Sequence, residues 1–152
     1  MEIKKVSLRD LKQIMLLEQD IFKVNAFSKN LMLNLIHNGF IFFKLEKRRL
    51  IKQIIGIIIV IKDQKDTANI INFLIKPKFQ NKGFGTYLLQ RTIEEIKKLT
   101  EIRRIILNVQ LSNSNAINLY EKFNFKRNPQ ILENYYHSGE SAFLMELKLD
   151  SL

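Results

Sequence analysis

A chain of 152 residues is long enough for one domain with a real core and too short for two of ordinary size, and 46% hydrophobic residues exclude wholesale disorder. The absence of cysteine excludes disulfides, thiolate metal sites and a cysteine nucleophile, and two histidines, His37 and His137, cannot by themselves hold zinc, so no metal is expected. The net charge of +10 favours anionic partners such as a polyphosphate cofactor, an acidic peptide or a ribosomal surface, although a solvated basic surface would carry the same charge.

The elements follow in chain order. Glu2 to Val6 reads as a strand, and Ser7 opens a capping-box-like helix start. Leu8, Leu11, Ile14, Met15 and Leu17 trace one face of a helix to about Asp20. Ser28 caps a second helix to about His37, with Asn38-Gly39 as its stop. Phe40 to Lys47 is the next strand, followed by a charged turn at Lys47-Arg48-Arg49. Ile51 to Ile61 is β-branched almost throughout and reads as a central strand, with Gly56 marking a bulge or a close approach. A polar turn, Asp63 to Asp66, leads to a strand from Ala68 to Lys76 that Pro77 ends. A helix from Gly85 to about Leu99 places Leu88, Leu89, Ile93, Ile96 and Leu99 on one face. Arg104 to Gln110 is a strand, Ser112-Asn113-Ser114 a cap cluster, and Ala116 to Phe123 a short helix that Asn124 closes in the left-handed conformation. Phe125 to Leu132 and Ser141 to Leu149 are the last strands. The order β-α-α-β-β-β-α-β-α-β-β, without repeat or linker, predicts one α/β sheet domain over residues 1–152.

The stretch PKFQNKGFGTYLLQ, Pro77 to Gln90, holds two of the chain's five glycines. A strand end, a proline, a glycine loop and a helix start make an anion site, because loop N–H groups and the positive end of the helix dipole point the same way. Lys82 adds a charge beside it. The P-loop pattern fails, since the first Gly and the Lys-Thr pair are missing, and the dinucleotide fingerprint fails, since Leu88 stands where its third Gly would be. Taken alone, the loop is equally an ordinary turn.

The wider spacing is more specific. Ile75-Lys76-Pro77 followed by Gln80-x-x-Gly83-x-Gly85 resembles the acetyl-CoA pyrophosphate loop of the GCN5-related N-acetyltransferase (GNAT) family. LNVQLSNSNAINLYEKFNFKR resembles that family's second signature, with Asn113, Ala116, Leu119, Tyr120, Glu121 and Phe125 in register and Asn124 in place of the usual glycine. The resemblance covers essentially the whole chain. It implies a mixed, mostly antiparallel twisted sheet of about seven strands with splayed central strands, flanked by about four helices. It also implies acetyl-CoA as cosubstrate. Backbone N–H groups from Asn81 through Lys82, Gly83, Phe84 and Gly85 to Thr86 would hold the pyrophosphate with Gln80. The backbone of Phe73, Leu74 and Ile75 would pair with the pantetheine arm, helped by Asn113, which can equally serve as the helix N-cap.

The tail ENYYHSGESAFLMEL, Glu133 to Leu147, resembles the protein N-terminal acetyltransferases of this family that act on a ribosomal-protein N-terminus or on nascent chains. Tyr135 and Tyr136 would then close over the acceptor peptide, or else pack on the sheet. Glu18, Phe22, Phe27 and Ser28 fall where that subfamily carries its substrate loop, which adds Phe22 and Phe27 to the acceptor site. The partners implied are acetyl-CoA and a protein or peptide N-terminus, with ribosome association; the lysines are spread along the chain, so direct nucleic-acid binding is not expected. The longest apolar run, Ile54 to Ile61, is too short to span a bilayer and MEIKKVSLRD lacks a signal-peptide core, so a cytoplasmic protein with no membrane contact, monomeric or weakly dimeric, is expected.

Acetyl transfer needs a neutral amine, a stabilised oxyanion and a proton for the departing thiolate. The resemblance makes Tyr120 the proton donor and the Ile75 N–H the oxyanion donor. Relatives with this tail carry Glu or His where Asn108 stands, or Tyr where Phe79 stands. Asn108 can hold a water but cannot accept a proton at neutral pH, so the usual bases are absent, and Glu18, Asp20 or Glu133 acting through water are the candidates. An α-amine of pKa roughly 7.7–8.0 is ~10–20% neutral at pH 7 and a lysine amine well under 0.1%, so a weak base favours N-terminal acceptors. The competing readings are an acetyltransferase for a small amine or a lysine side chain, and a catalytically weakened CoA- or ribosome-binding module.

Overall fold

The computed structural model describes residues 1–150. Seven strands form one sheet: β1 (Glu2–Lys5), β2 (Ile41–Lys47), β3 (Gln53–Gln64), β4 (Thr67–Ile75), β5 (Arg104–Gln110), β6 (Lys126–Leu132) and β7 (Ala142–Lys148). Their order across the sheet is β1-β2-β3-β4-β5-β7-β6, and only β4 and β5 are parallel. Helices α1 (Leu11–Phe22), α2 (Lys29–Asn38), α3 (Phe84–Lys97) and α4 (Ser114–Lys122) flank the sheet. The element order matches the sequence expectation, with short 3-10 turns added at Leu8–Asp10, Lys23–Asn25 and Pro77–Phe79. Among the described residues, no helix is long and apolar enough to cross a membrane.

β3 is buried on both faces, which is why it reads as an unbroken apolar run. Its register with β2 carries one irregularity: Leu45 pairs with Gly56 and Glu46 with Ile54, leaving Ile55 as an extra residue. The bulge switches the alternation. Ile54, Ile57 and Ile59 pack in one core with Ile14, Leu17, Met32 and Leu35 of α1 and α2. Ile55, Ile58 and Val60 pack in the other with Leu88, Leu89, Ile93 and Ile96 of α3. Gly56 is also a close approach, since a Cβ there would lie 2.6 Å from Ile75 Cδ1 and 3.0 Å from the Leu74 carbonyl oxygen.

The termini of the helices follow local rules with one difference of cause. The Ser28 hydroxyl accepts from Leu31 N, Asn113 Oδ1 accepts from Ala116 N, and Asp10 accepts from Ser7 N in the expected capping box. Asn124 closes α4 at φ 69°. Gly39 ends α2 at φ −67°, so no left-handed turn requires it; a Cβ there would sit 2.2 Å from the Leu35 carbonyl oxygen, and that crowding excludes a side chain.

Candidate active site

The site begins where the sheet opens. β4 and β5 pair only from Thr67 with Arg104 to Ile70 with Leu107. Beyond that point β4 continues to Ile75 and β5 to Gln110 with no pairing between them, so the expected splay is present. Lys76 N donates to the Ile55 carbonyl, toward β3, at 2.7 Å. Successive N–H groups of a strand point to opposite edges, which turns the N–H groups of Phe73 and Ile75 toward the gap.

A cleft fills the mouth of the split, with about 100 Å³ of open volume. It is lined from β4 by Ile70 to Phe73, from β5 by Asn108 to Gln110, from α4 and its cap by Tyr120 and Asn113, and from the α1–α2 segment by Glu18, Phe22, Asn25 and Phe27; Tyr136 completes it. A wider groove of about 660 Å³ adjoins it, lined by Phe27, Leu31, Asn108, Tyr135, Tyr136 and His137 among others. The expected acceptor residues Phe22, Phe27, Tyr135 and Tyr136 therefore meet Tyr120 and Asn108 in one continuous depression.

Tyr120 is 5% exposed, wedged against Phe73 and Phe125 with ring centroids 6.2 and 5.7 Å away. Burial pushes its phenol well above the usual tyrosine range, so it stays protonated. Tyr136 is raised for the same reason, with Tyr135 and Glu140 adding to the effect, and stands edge-on to Tyr135 at 5.0 Å. The Asn108 amide donates to Tyr135 Oη at 2.9 Å. Two side chains tie the lining loops together over the mouth: Asn25 Nδ2 donates to Ser138 Oγ, and Ser138 N donates to Asn25 Oδ1.

Glu18 is the acidic group that sequence reasoning could name but not place. It is wholly buried, and its carboxylate accepts from Phe27 N at 2.9 Å and from Asn72 Nδ2 at 3.0 and 2.8 Å. Burial raises its pKa, opposed by those hydrogen bonds from Phe27 and Asn72. Three contacts on a group with about four lone-pair sites leave one for the cleft. Asp20 and Glu133 do not line it. Asn72 was missed altogether; the signal available was a polar residue among apolar neighbours in ANIINFLI, diluted by the many asparagines of this chain.

The glycine loop lies at the far end of the split. Asn81 (φ 58°) and Gly83 (φ 84°) are both left-handed and curl the backbone into the start of α3, where Asn81, Lys82, Gly83 and Thr86 are exposed. Such a curl ahead of a helix presents N–H groups to an anion. Phe79 is buried beneath, edge-on to Phe84 at 6.3 Å, with the ammonium groups of Lys47 and Lys82 at 5.2 and 5.9 Å from its ring. Gln80 turns inward and its Nε2 donates to the Ile75 carbonyl at 2.8 Å, which ties the loop to the end of β4 that no longer pairs with β5. Leu74 and Ile75 bury their side chains in the two opposite cores and offer the gap only backbone. His37 is bonded to its own helix through the Leu33 carbonyl, and no cluster of metal-ligating residues occurs among the described residues.

The structure is thus an α/β domain whose sheet splits between two parallel strands, with Tyr120 and the buried Glu18 carboxylate at the split and the glycine loop at its end. The model of the acetyltransferase (GNAT) family matches residues 11–125, and the chain belongs to that family. It is 36% identical over 82 residues to an N-alpha-acetyltransferase of Sulfurisphaera tokodaii, covering 54% of this chain and 48% of that protein. Over 75 residues it is 33% identical to a spermine/spermidine N(1)-acetyltransferase of Bacillus subtilis, covering 49% of this chain and 47% of that protein. The chain thus spans about half the length of these curated relatives. The crystal structure of the ribosomal-protein-S18-alanine N-acetyltransferase from Escherichia coli superimposes with a TM-score of 0.84 at 26% identity, covering 99% of this chain and 95% of that one.

Proposed function

We propose that the protein is an acetyl-CoA-dependent N-acetyltransferase that acetylates the α-amino group of protein N-termini by direct transfer. The observation that carries this reading is the convergence of Glu18, Tyr120 and the edge of β4 freed from β5 at the split between the two strands. Acetyl-CoA supplies the acyl group as a thioester. The N–H groups of Asn81 to Thr86 cradle its pyrophosphate, with Lys82 as the nearby cation. Gln80 shapes that loop by holding the Ile75 carbonyl, and Asn113 offers the pantetheine a polar neighbour while capping α4. The N–H groups of Phe73 and Ile75 face the gap; the first aligns the pantetheine arm and the second stabilises the oxyanion.

Glu18 takes the role that neither Asn108 nor Phe79 can fill. Its raised pKa makes it a better proton acceptor than an exposed carboxylate, and it faces the same cleft as Tyr120. Tyr120 delivers the proton to the departing thiolate. The dry site that raises the phenol also disfavours a thiolate lodged beside it, so transfer from one to the other is not opposed by burial. Asn108 contributes a hydrogen-bonding side chain and no base. Phe22, Phe27, Tyr135 and Tyr136 wall the acceptor groove. The domain extends over residues 1–152, works in the cytoplasm as a monomer or weak dimer, and takes its acceptors from ribosomal proteins or nascent chains.

The +10 charge supports a protein acceptor over a polyamine, which it would repel. Incubation with acetyl-CoA and a library of peptides with free N-termini, read by CoA release and mass spectrometry, tests the reading. Acetylation at peptide α-amines is expected. Turnover on spermidine but on no peptide would move the acceptor to small amines. CoA binding without turnover on either would replace the enzyme by a binding module.

A further inference from the structure

Among the described residues, two buried side-chain polar atoms lack any hydrogen-bond partner, Asn72 Oδ1 and Asn108 Oδ1. Both residues line the cleft of Glu18 and Tyr120, one from each side of the split. Buried acceptors are rarely left unpaired, because each costs the loss of its hydration, so two in one cleft point to a donor that binds there. The Asn72 amide cannot be turned around to remove the deficit. Its Nδ2 donates to both Glu18 oxygens, and a reversed amide would place its oxygen against the carboxylate. Asn108 Nδ2 donates to the Tyr135 hydroxyl, which can also donate, so Asn72 Oδ1 is the acceptor left unpaired whichever way the Asn108 amide is turned.

The charge of the cleft agrees. The protein carries +10, yet no lysine, arginine or histidine lines this cleft. Its titratable groups are Glu18 from α1, Tyr120 from α4 and Tyr136 from the β6–β7 loop. Both phenols are held neutral by burial, so the Glu18 carboxylate is the one charge that can stand there near neutral pH. Three acceptors, one of them anionic, match the three N–H donors of a primary ammonium group.

We infer that Glu18, Asn72 Oδ1 and Asn108 Oδ1 form a receptor for a primary ammonium, so that the acceptor amine enters in its charged form and is deprotonated only after it is bound. This rests on the acetyl-transfer reading for its place in a reaction, but not for its binding. It makes Asn72 and Asn108 specificity-determining residues and limits acceptors to unalkylated amines. A secondary amine, such as an N-terminal proline, brings one donor fewer and leaves one acceptor unpaired.

Calorimetry with CoA bound compares a peptide with a free N-terminus and the same peptide with its α-amino group replaced by hydrogen. The free-amine peptide is expected to bind on the order of 10- to 100-fold more tightly, as hydrogen bonds to a charged group allow. Its affinity is expected to fall as pH rises past about 8, where the α-amine loses its proton, while the desamino peptide stays flat. N72L and N108L, each close in size to the native residue, should each lower the free-amine preference about tenfold, read as the ratio of free-amine to desamino affinity within the same variant. The pH signature in the wild-type protein does not depend on either variant folding. Free-amine affinity that holds or rises as pH passes about 8, equal binding of the two peptides, or no binding of either in the wild-type protein would overturn the receptor. Selective binding without acetylation would leave the receptor standing and remove the transferase reading; acetylation without selectivity would do the reverse.

Discussion

Among the described residues, two groups of buried polar side chains close their hydrogen bonds differently. At the β1–β2 edge, Lys44 contacts Asp10 at 2.8 Å and Glu46 at 3.0 Å, Lys4 contacts Glu46 at 3.2 Å, and Lys4 reaches Glu2 at 3.0 Å. No buried side-chain polar atom is left over there. At the split of the sheet, Glu18, Asn72 and Asn108 also bond one another or their neighbours, but two oxygens remain without partners. Both clusters pair groups that cost free energy to bury. The first is complete within the chain and holds structure. The second leaves two oxygens open at the cleft. Charge alone does not separate them; the accounting of donors and acceptors does.

The largest effects should come from the open cluster. Glu18→Gln keeps the size and most of the hydrogen bonding but removes the proton acceptor, and is expected to lower kcat/KM by about 10²–10⁴. The measurement that sharpens the comparison is the pH profile. In the wild-type protein the acid limb set by Glu18 should lie above the usual carboxylate range, because burial raises that group, and Glu18→Gln should lose the limb. An unchanged profile would remove Glu18 from the chemistry.

Tyr120→Phe keeps the packing against Phe73 and Phe125 and removes only the hydroxyl. Turnover is expected to fall about 10²-fold with CoA affinity nearly intact, as read by steady-state kinetics beside calorimetry. An unchanged rate would reduce Tyr120 to a core residue.

The closed cluster should respond in stability instead. Lys44→Met leaves Glu46 and Asp10 without their shared cation, and Glu46 is 2% exposed. Denaturant unfolding should show a loss of up to about 3 kcal/mol, while kcat of the remaining folded protein stays as in wild type. A drop in kcat of the folded fraction would mean that the two clusters are not independent.

The same contrast explains what could be read before the structure. The element order was legible because β3 alternates or runs apolar between turn residues, α3 repeats leucine and isoleucine at helical spacing, and Ser28, Asn113 and Asn124 carry cap chemistry that is local. The glycine loop and Tyr120 were legible because each belongs to a contiguous motif. The split was expected only through family resemblance, since pairing of Ile70 with Leu107 and its loss beyond is a relation between strands far apart in sequence. The pairing of Asn72 with Glu18 spans 54 positions and has no local pattern to betray it. Gly39 and Gly56 were legible as special, yet for Gly39 the cause was crowding against Leu35 rather than the sign of φ.

The smallest effect, and the one that sets the clusters most directly against each other, is the pH dependence of stability at their carboxylates. Glu46 is pushed up by burial, but hydrogen bonds from Lys44 and Lys4 outweigh this and hold it below the usual value of 4.5. Its contribution is therefore present above pH 4.5 and lost as pH falls through its lowered folded pKa. Glu18 has the opposite sign: with its folded pKa raised, the native state keeps a proton that the unfolded chain has released, so stability falls as pH rises from about 4.5 through that raised value. Glu46→Gln should flatten the acid side of the stability curve, and Glu18→Gln should remove the decline above it, both measured by urea midpoints across pH. If the free-amine peptide is present, its ammonium should stabilise charged Glu18 and reverse the decline in the wild-type protein but not in Glu18→Gln. A decline that persists unchanged with peptide would mean that the open cluster does not receive the cation its geometry is short of.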